Sequence, residues 1–316
     1  MKYSNGDYLL YPYAGKLAHT YSIVARDPET GEMGVAVQSH WFSVGRLVMW
    51  AEAGVGAIAT QSFVNCMLGH KGLELLRKGG TAQDVLQDVI KADEGRDVRQ
   101  LAIVDANGVV SAWTGKGCIP EAGHIIGDNF SVQANLMLNN RVWPAMAEAF
   151  QQAKGSLAER MVTALEAAQK AGGDIRGKQS AAILVVRKES TGKSWEDHLV
   201  DLRIEDHPAP VQELRRLLKL SEAYQHMNAG DLAIERNDID QALREYRTAE
   251  GMFPQNLEMK FWHAFSLVNI GCIEESLPIF TKVFKQDQNW KILIKRLKAM
   301  GMLKVSDEHL QSILSV

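Results

Sequence analysis

The stretch "HTYSIVARDPETGEMGVAVQSHW" (residues 19–41) determines the fold class expected for the first half of the chain. Apolar and polar residues alternate in its "TYSIVARD" part, which is the period of a strand with one buried face. "PETG" then supplies a proline and a glycine suited to a turn, and "EMGVAVQS" alternates again. The stretch therefore predicts a β-hairpin whose first strand begins at Thr20.

Strand and helix patterns follow this hairpin in groups, as far as about His207. "GVGAIATQS" is a small-residue strand, and "RQLAIVDANGVVSAWTG" places Asn107-Gly108 between two strands, a strong hairpin signal. Helical patterns at about 142–152 and 156–171 come next, before the strands "SAAILVVRKE" and "HLVDLRIED". Such grouping predicts an antiparallel α+β fold rather than a doubly wound parallel sheet. Apolar strands with helices for both faces favour a four-layer αββα sandwich, and the layer count stays open.

The sequence changes character at "EDHPAP" (205–210), after which the pattern is helical throughout. The tail resembles tetratricopeptide repeats, which have a period of 34 residues. The packing positions of a first unit and of a second, less regular unit are held by Ala242, Tyr246 and Ala249 and by Ser276, Phe280 and Val283. We therefore expect a leader over 1–19, an α+β domain over 20–210 and a small all-α helical-repeat domain over 211–316.

The two repeat units are fewer than the three or so that usually stand alone. Helices at about 211–222 and 291–315 are expected to cap them, or the pair docks on the first domain or on a second subunit. Gly230 occupies the small-residue position of the first unit. A groove of this kind commonly binds a protein partner, and a packing or homo-oligomerisation role is the equal alternative.

Charge and cysteine content restrict the partners and the compartment. The formal net charge is -3 with both signs interspersed, so neither nucleic acid nor an anionic membrane is an expected partner. The three cysteines are scattered, and residues 1–19 contain no apolar run of signal-peptide length. No run reaches the roughly 18 apolar residues of a membrane span. These features predict a cytoplasmic protein.

Familiar cofactor and metal motifs are absent from the sequence. No phosphate loop, dinucleotide fingerprint, zinc-protease helix or nucleophile elbow occurs in the order that its chemistry requires. The histidines of the first domain do not place two ligands on one helix face or one strand face. We therefore expect neither a cofactor nor a metal site.

Thr20 is the remaining candidate for chemistry. A threonine that begins a strand can be a nucleophile when its own α-amine is free, because an amine with a pKa of about 8 can accept the hydroxyl proton. Such a site also needs donors for an oxyanion, a polar group near the amine, and removal of whatever precedes the threonine. Without removal, Thr20 is only the first residue of a strand.

Several glycine-bearing blocks resemble a known family. They are "HTYSIVARDPETGEMGVAVQS", "WAEAGVGAIATQS", "RQLAIVDANG", "AGHIIGDNFSVQANLM" and "AGGDIRGKQSAAILVV", closing with "DLRIEDHPAP". In order and content they look like the family catalogued as domain of unknown function 1028, over about Thr20 to Pro210. That family is placed among the N-terminal-nucleophile hydrolases, which share an αββα sandwich. The resemblance implies an amidohydrolase with Thr20 as the nucleophile, acting on an amide of a small molecule or peptide.

The polar residues inside these blocks are the expected supporting residues. Gln61 and Asn135 carry amides that could polarise a carbonyl oxygen, so we assign them with Thr20 to catalysis. Arg176 could hold a substrate carboxylate with Asp174 orienting it, and an ion pair with a purely structural role is the alternative. Ser39 and Arg99 are also assigned to substrate binding.

Two other readings stay open from the sequence. The first is a non-catalytic metabolite- or partner-binding protein that uses the αββα domain as a scaffold and the repeats for interaction. The second is a hydrolase of the same fold whose nucleophile is not Thr20. In many members of the resembled family the threonine follows the initiator Met, whereas a leader precedes it here. If Thr20 is the nucleophile, residues 1–19 must be removed by cleavage at His19-Thr20; otherwise the leader stays as an ordered plug over the pocket. His19 and His40 are candidate bases for self-cleavage.

Overall fold

The computed structural model describes residues 16–316, with side chains from His19 onward. Most of the expected leader, residues 1–15, lies outside the described residues. The strands of the described part are β1 (Lys16–Ala18), β2 (Thr20–Arg26), β3 (Met33–Ser39), β4 (Met49–Glu52), β5 (Gly56–Val64), β6 (Arg99–Asp105), β7 (Val110–Thr114), β8 (Gly123–Gly127), β9 (Phe130–Ala134), β10 (Ser180–Val186) and β11 (His198–Ile204).

Helices occupy the connections and the whole C-terminal region. They are α1 (Gly45–Val48), α2 (Cys66–Arg77), α3 (Ala82–Ala92), α4 (Val142–Gln152), α5 (Leu157–Lys170), α6 (Ser194–Asp197), α7 (Pro210–Glu235), α8 (Ile239–Met252), α9 (Leu257–Asn269), α10 (Ile273–Gln286), α11 (Asn289–Ala299) and α12 (Asp307–Ser315). Local chemistry sets where α5 begins, because Ser156 and Glu159 satisfy each other's backbone N–H groups in a capping box.

The strands form two sheets in which every pair is antiparallel. The first sheet has the order β1-β5-β6-β7, with β4 also paired to β5, and the second has the order β11-β10-β3-β2-β9-β8. The expected hairpin is β2–β3, with Thr20 directly opposite Ser39. The prediction of an α+β chain with antiparallel sheets and a helical C-terminal region is confirmed.

Alternate residues of the central strands supply different apolar clusters. Val24 of β2 lies in one cluster with Ala57 of β5, so apolar side chains of both sheets meet. Its neighbour Ile23 points to the other face of β2 and packs in a cluster with Met161 of α5. On the first sheet, Ile58 of β5 packs in a third cluster with residues of α2 and α3.

Contacts within the chain divide it into one unit that ends at Leu218 and a second unit, residues 219–316. The change of sequence character at Pro210 precedes this division, since α7 begins there. Its first turns bury Val211, Leu214 and Leu218 in the same cluster as α5. The start of this helix is therefore part of the core of the first unit.

The sequence positions that recur after 34 residues are buried within residues 219–316. Tyr246 of α8 and Phe280 of α10 are both fully buried. Gly230 has to be small, because a Cβ at this position would lie 2.5 Å from the Tyr246 ring. The Tyr246 hydroxyl in turn donates to Asp231 Oδ1 at 2.7 Å. The 34-residue pattern thus marks residues that pack between helices.

The helices expected beside the repeats differ from their predicted bounds. The helix predicted at 211–222 is the first half of α7, which continues to Glu235. The helix predicted at 291–315 is instead the two helices α11 and α12. Gly301 lies between them with a φ of +73°, a left-handed conformation that ends a helix.

Candidate active site

Thr20 lies at the start of β2, in the interior of the second sheet between β3 and β9. Its side chain is on the same face of β2 as Ser22 and Val24, which is the face toward the first sheet. The residue is fully buried, and its Oγ1 has no hydrogen-bond partner among the described residues. Buried hydroxyls are normally hydrogen-bonded, so this one is a candidate for chemistry.

The carbonyl oxygen of His19, in the peptide bond before Thr20, accepts hydrogen bonds from two side chains. Ser39 Oγ donates at 2.7 Å and Arg176 Nη2 donates at 2.8 Å. Ser39 is in position because it ends β3 opposite Thr20. Two donors on one carbonyl oxygen polarise that carbonyl in the manner of an oxyanion hole.

Asp174 holds Arg176 against the His19 carbonyl. The guanidinium donates through Nε to Asp174 Oδ1 at 3.0 Å and through Nη2 to Oδ2 at 2.7 Å. Asp174 is buried and also accepts from the backbone N–H of His40 at 3.1 Å. A bidentate pair fixes the plane of the guanidinium, so Nη2 remains directed at the carbonyl.

The His19 side chain is buried beside Asn135. Its Nδ1 lies 2.6 Å from Asn135 Oδ1, and its ring packs edge-to-face on Phe63 with the centroids 5.4 Å apart. Because an amide oxygen only accepts, the proton of the neutral ring is on Nδ1. Burial lowers the pKa of His19; the charge of Arg176 lowers it further, and the Asn135 bond and Asp174 act in the opposite direction. The lowered pKa of His19 favours the neutral imidazole.

A chain of amides fixes the orientation of Asn135. Gln100 Nε2 donates to the backbone carbonyls of Ala134 (2.9 Å) and Gly123 (3.2 Å), which can only accept. Gln100 Oε1 must therefore face the other way, where it accepts from Asn135 Nδ2 at 2.8 Å. Asn135 is left with its Oδ1 toward His19.

The carbonyl of Thr20 is held separately from that of His19. It accepts from the backbone N–H of Asn135 at 3.0 Å, and Gln61 Nε2 approaches it at 3.4 Å. Gln61 also donates to Gln100 at 2.6 Å and accepts from Ser22 at 2.6 Å. Polar side chains of both sheets therefore meet beside β2.

Comparison with known proteins agrees with the sequence blocks. Residues 20–214 match the DUF1028 family, a family of unknown function. The chain belongs to the DUF1028 family. The match begins at Thr20, the residue whose preceding peptide carbonyl is held by Ser39 and Arg176.

A DUF1028 protein of known structure is similar to this chain. Protein SPO2555 from Silicibacter pomeroyi shares 33% sequence identity and a TM-score of 0.58, over 64% of this chain and 85% of that one. Anbu, an ancestral β-subunit from Yersinia bercovieri, shares 14% identity with a TM-score of 0.31, over 62% of this chain and 92% of that one. No curated protein matches the chain.

The structure of this DUF1028 chain brings most of the sequence-predicted residues together. Ser39 and Arg176 contact the His19 carbonyl, Asp174 holds Arg176, Asn135 contacts the His19 ring, and Gln61 approaches the Thr20 carbonyl. Their proposed roles stay predictions. The donors on the bond before Thr20 are Ser39 and Arg176, whereas the sequence interpretation gave carbonyl polarisation to Asn135 and Gln61.

Arg99 is engaged beside this group rather than at the peptide bond itself. Its Nε donates to Asp93 at 2.7 Å, and its Nη1 donates to the backbone carbonyl of Phe63. Phe63 is the ring that packs on His19. The contacts of Arg99 therefore position one wall of the site, and its assignment to substrate binding stays a prediction.

Ser22, Gln100 and Gln133, which are fully buried polar residues, were not assigned to the site from the sequence. Gln133 Nε2 donates to Ser22 Oγ at 2.6 Å, across the register of β9 and β2. The signal was present in the DUF1028 blocks, because polar residues occur at alternate positions of strands that are otherwise apolar. Thr20 and Ser22 alternate on β2, and Gln133 and Asn135 alternate along β9 and its exit, so each pair shares a face.

Three further features of the described residues concern metal ions, membranes and cavities. In residues 16–316, no three His, Cys, Asp or Glu side chains are grouped so that they could hold a metal ion. Within the same range, no helix has the length and apolar content needed to cross a bilayer. A cavity of about 600 Å³ beside α5 and the start of α7 is lined by residues that include Thr163, Lys170 and Gln212, and not by Thr20.

Proposed function

We propose that this DUF1028 protein is an amidohydrolase of the N-terminal-nucleophile type, with Thr20 as the nucleophile after cleavage of the His19-Thr20 bond. One observation carries the proposal: the His19 carbonyl accepts from Ser39 and Arg176, while the hydroxyl of the next residue is buried without a partner. The two sheets with helices on their outer faces support a four-layer αββα sandwich as part of the same proposal.

Cleavage is an N-to-O acyl shift followed by hydrolysis. Thr20 Oγ attacks the His19 carbonyl carbon, and Ser39 and Arg176 stabilise the negative charge that forms on the oxygen. The C–N bond then breaks, and the hydroxyl proton ends on the Thr20 nitrogen, which becomes a free amine. Water hydrolyses the resulting ester, releasing His19 with a terminal carboxylate and restoring the Thr20 hydroxyl.

In the processed protein the same residues act on a substrate amide. The free α-amine of Thr20 accepts the Oγ proton as Oγ attacks the substrate carbonyl carbon, and the nearby positive charge of Arg176 favours the neutral, basic form of the amine. The substrate C–N bond breaks, the leaving amine takes that proton, and water hydrolyses the acyl ester. Arg176 thus stabilises the oxyanion in this mechanism. The sequence had suggested a different role for it, that of binding a substrate carboxylate.

Intact-mass measurement with N-terminal sequencing tests the proposal. Wild type should lose residues 1–19, Thr20→Ala should stay intact, and Thr20→Ser should still cleave because it keeps a hydroxyl. Ser39→Ala and Arg176→Lys should each slow cleavage by about 100-fold, the usual effect of removing one oxyanion donor. Ser312→Ala, which changes an exposed serine of α12, is the matched control and should cleave like wild type.

An uncleaved wild type would contradict the proposal, and its activity would separate the alternatives. If it still hydrolyses an amide, the nucleophile lies elsewhere in the same fold. If it is inactive, the burial of Thr20 favours a non-catalytic binding protein, with the tetratricopeptide-like helices as the partner-binding part. Binding of a protein to residues 219–316 by pull-down and calorimetry would then be the decisive measurement.

A further inference from the structure

We infer that the processed site binds a peptide as an added strand on β5, with a neutral hydrogen-bond donor such as histidine immediately before the scissile bond. The inference rests on the proposed function, since it requires that the residues before Thr20 leave. It specifies the substrate class: an extended peptide whose acyl side corresponds to residues 16–19.

Three residues of β5 lose their partner strand when β1 leaves. Ser62, Phe63 and Val64 pair antiparallel with residues 16–18. β6 holds the other edge of β5, and β4 pairs only with residues 56–59. Departure of β1 leaves a short edge of backbone groups that β1 no longer covers, while the Phe63 carbonyl stays bonded to Arg99 Nη1. Such an edge binds extended peptides by strand addition.

The leader approaches Thr20 in the direction that a substrate acyl group must take. Residues 16–18 run along β5, and the next carbonyl, that of His19, lies on Ser39 and Arg176. A substrate carbonyl attacked by Thr20 needs the same two donors, because they stabilise the same charge. A peptide bound with its carbonyl there would continue along the β5 edge that β1 has left.

The space occupied by the His19 ring favours a substrate side chain that donates a hydrogen bond. Asn135 presents Oδ1 to it, and the Gln100 amide prevents Asn135 from turning its NH₂ group inward without losing the bond between them. A side chain that donates one hydrogen bond fits this space, whereas a carboxylate would place acceptor against acceptor. The edge-to-face contact with Phe63, at an interplanar angle of 88°, suits a flat ring.

Charge makes a neutral donor preferable to a cation. Arg176 lies close enough to lower the pKa of His19, in the same direction as burial. A lysine or arginine side chain would bring a second positive charge into the same buried space, where desolvation and repulsion both act against it. Histidine before the scissile bond should therefore be preferred to alanine, and alanine to lysine.

Fluorogenic peptides with the sequence of residues 16–19 test the inference. The self-cleaved wild-type chain is given acetyl-KLAH-aminomethylcoumarin and the matched KLAA and KLAK peptides, with Thr20→Ala as the inactive control. We expect kcat/KM for KLAH to exceed that for KLAA by about tenfold or more, the effect of a buried acceptor left without its donor. In Asn135→Ala this ratio should fall to about one. If that variant does not fold, the comparison of the KLAH, KLAA and KLAK peptides on the wild-type enzyme tests the inference by itself.

N-methylated peptides test the strand addition. Neighbouring residues of a strand direct their backbone N–H groups to opposite sides, so methylation at the Leu position and at the Ala position of KLAH should have unequal effects. One of the two peptides should lose most of its activity and the other should retain it. A processed enzyme that hydrolyses KLAH and KLAA equally, or tolerates both methyl groups, overturns the inference alone. An uncleaved wild type overturns the proposed function, and the inference with it.

Discussion

His19 combines a buried ring with an ionisable group, and this gives the uncleaved chain a defined pH dependence. Burial lowers the pKa of His19 below its ordinary value of 6.5 in the folded state, with Arg176 acting in the same direction, while the Asn135 bond and Asp174 oppose it. The unfolded chain therefore binds a proton near pH 6.5 that the folded chain does not bind. Stability is retained above that pH and falls as the pH drops below it.

The prediction at the residue scale compares Thr20→Ala with Thr20→Ala/His19→Gln, both of which should keep the leader attached. Glutamine retains a donor for Asn135 Oδ1 and cannot titrate. Denaturant unfolding from pH 8 to pH 5 should show Thr20→Ala losing stability relative to the double variant below about pH 6.5. His124, whose pKa burial also lowers, is present in both proteins and cancels. Equal acid sensitivity of the two proteins would contradict the account.

The packing of α7 against α8 depends on one small residue. A Cβ at Gly230 would lie 2.5 Å from the Tyr246 ring, which is itself fully buried. Gly251, by contrast, is exposed on α8, and a Cβ there would meet no atom within 4 Å. The two glycines therefore form a matched pair for testing this contact.

The prediction at the element scale is that Gly230→Ala destabilises the chain and Gly251→Ala does not. Overpacking should cost about 1–3 kcal/mol at Gly230. At Gly251 the gain in helix propensity should stabilise by about 0.5–1 kcal/mol. Thermal and urea unfolding would measure both changes. A Gly230→Ala protein as stable as wild type would mean that the Tyr246 ring is free to move aside.

Contacts divide the whole molecule into two units after Leu218. The sequence changes to a purely helical pattern earlier, at Pro210. Val211, Leu214 and Leu218 belong to the apolar cluster of the first unit. A chain that stops at Leu218 keeps all three, and one that stops at Pro210 loses them. Each buried side chain of this size contributes about 1.5–3 kcal/mol.

The prediction at the scale of the whole molecule concerns these two truncations. The chain ending at Leu218 should unfold in one cooperative transition, and the chain ending at Pro210 should be less stable by several kcal/mol, on the order of the sum of three buried side chains. Denaturant unfolding followed by circular dichroism compares them. Equal stability would show that α7 contributes nothing to the core of the first unit.

The cytoplasmic location and the homo-oligomer stay predictions. Sedimentation of the intact chain tests the homo-oligomer.

The sequence by itself determined the features that depend on neighbours along the chain. Alternation between Thr20 and Ser39 determined the hairpin, and the 34-residue spacing between Tyr246 and Phe280 marked buried positions of the helical region. Local periodicity sufficed because a strand or a helix must bury one face wherever it packs. The bounds of α7 were missed, since nothing local distinguishes a cap helix from the continuation of one helix.

Only the tertiary structure decided which polar groups meet at the bond before Thr20. Ser39, Asn135 and Arg176 lie 20, 116 and 157 residues from His19 along the chain, and each contacts it. The sequence could nominate these side chains but not assign the carbonyl to Ser39 and Arg176 and the ring to Asn135. That assignment depends on how strands stack and on the amide orientation imposed by Gln100, which are properties of packed sheets and not of any stretch of sequence.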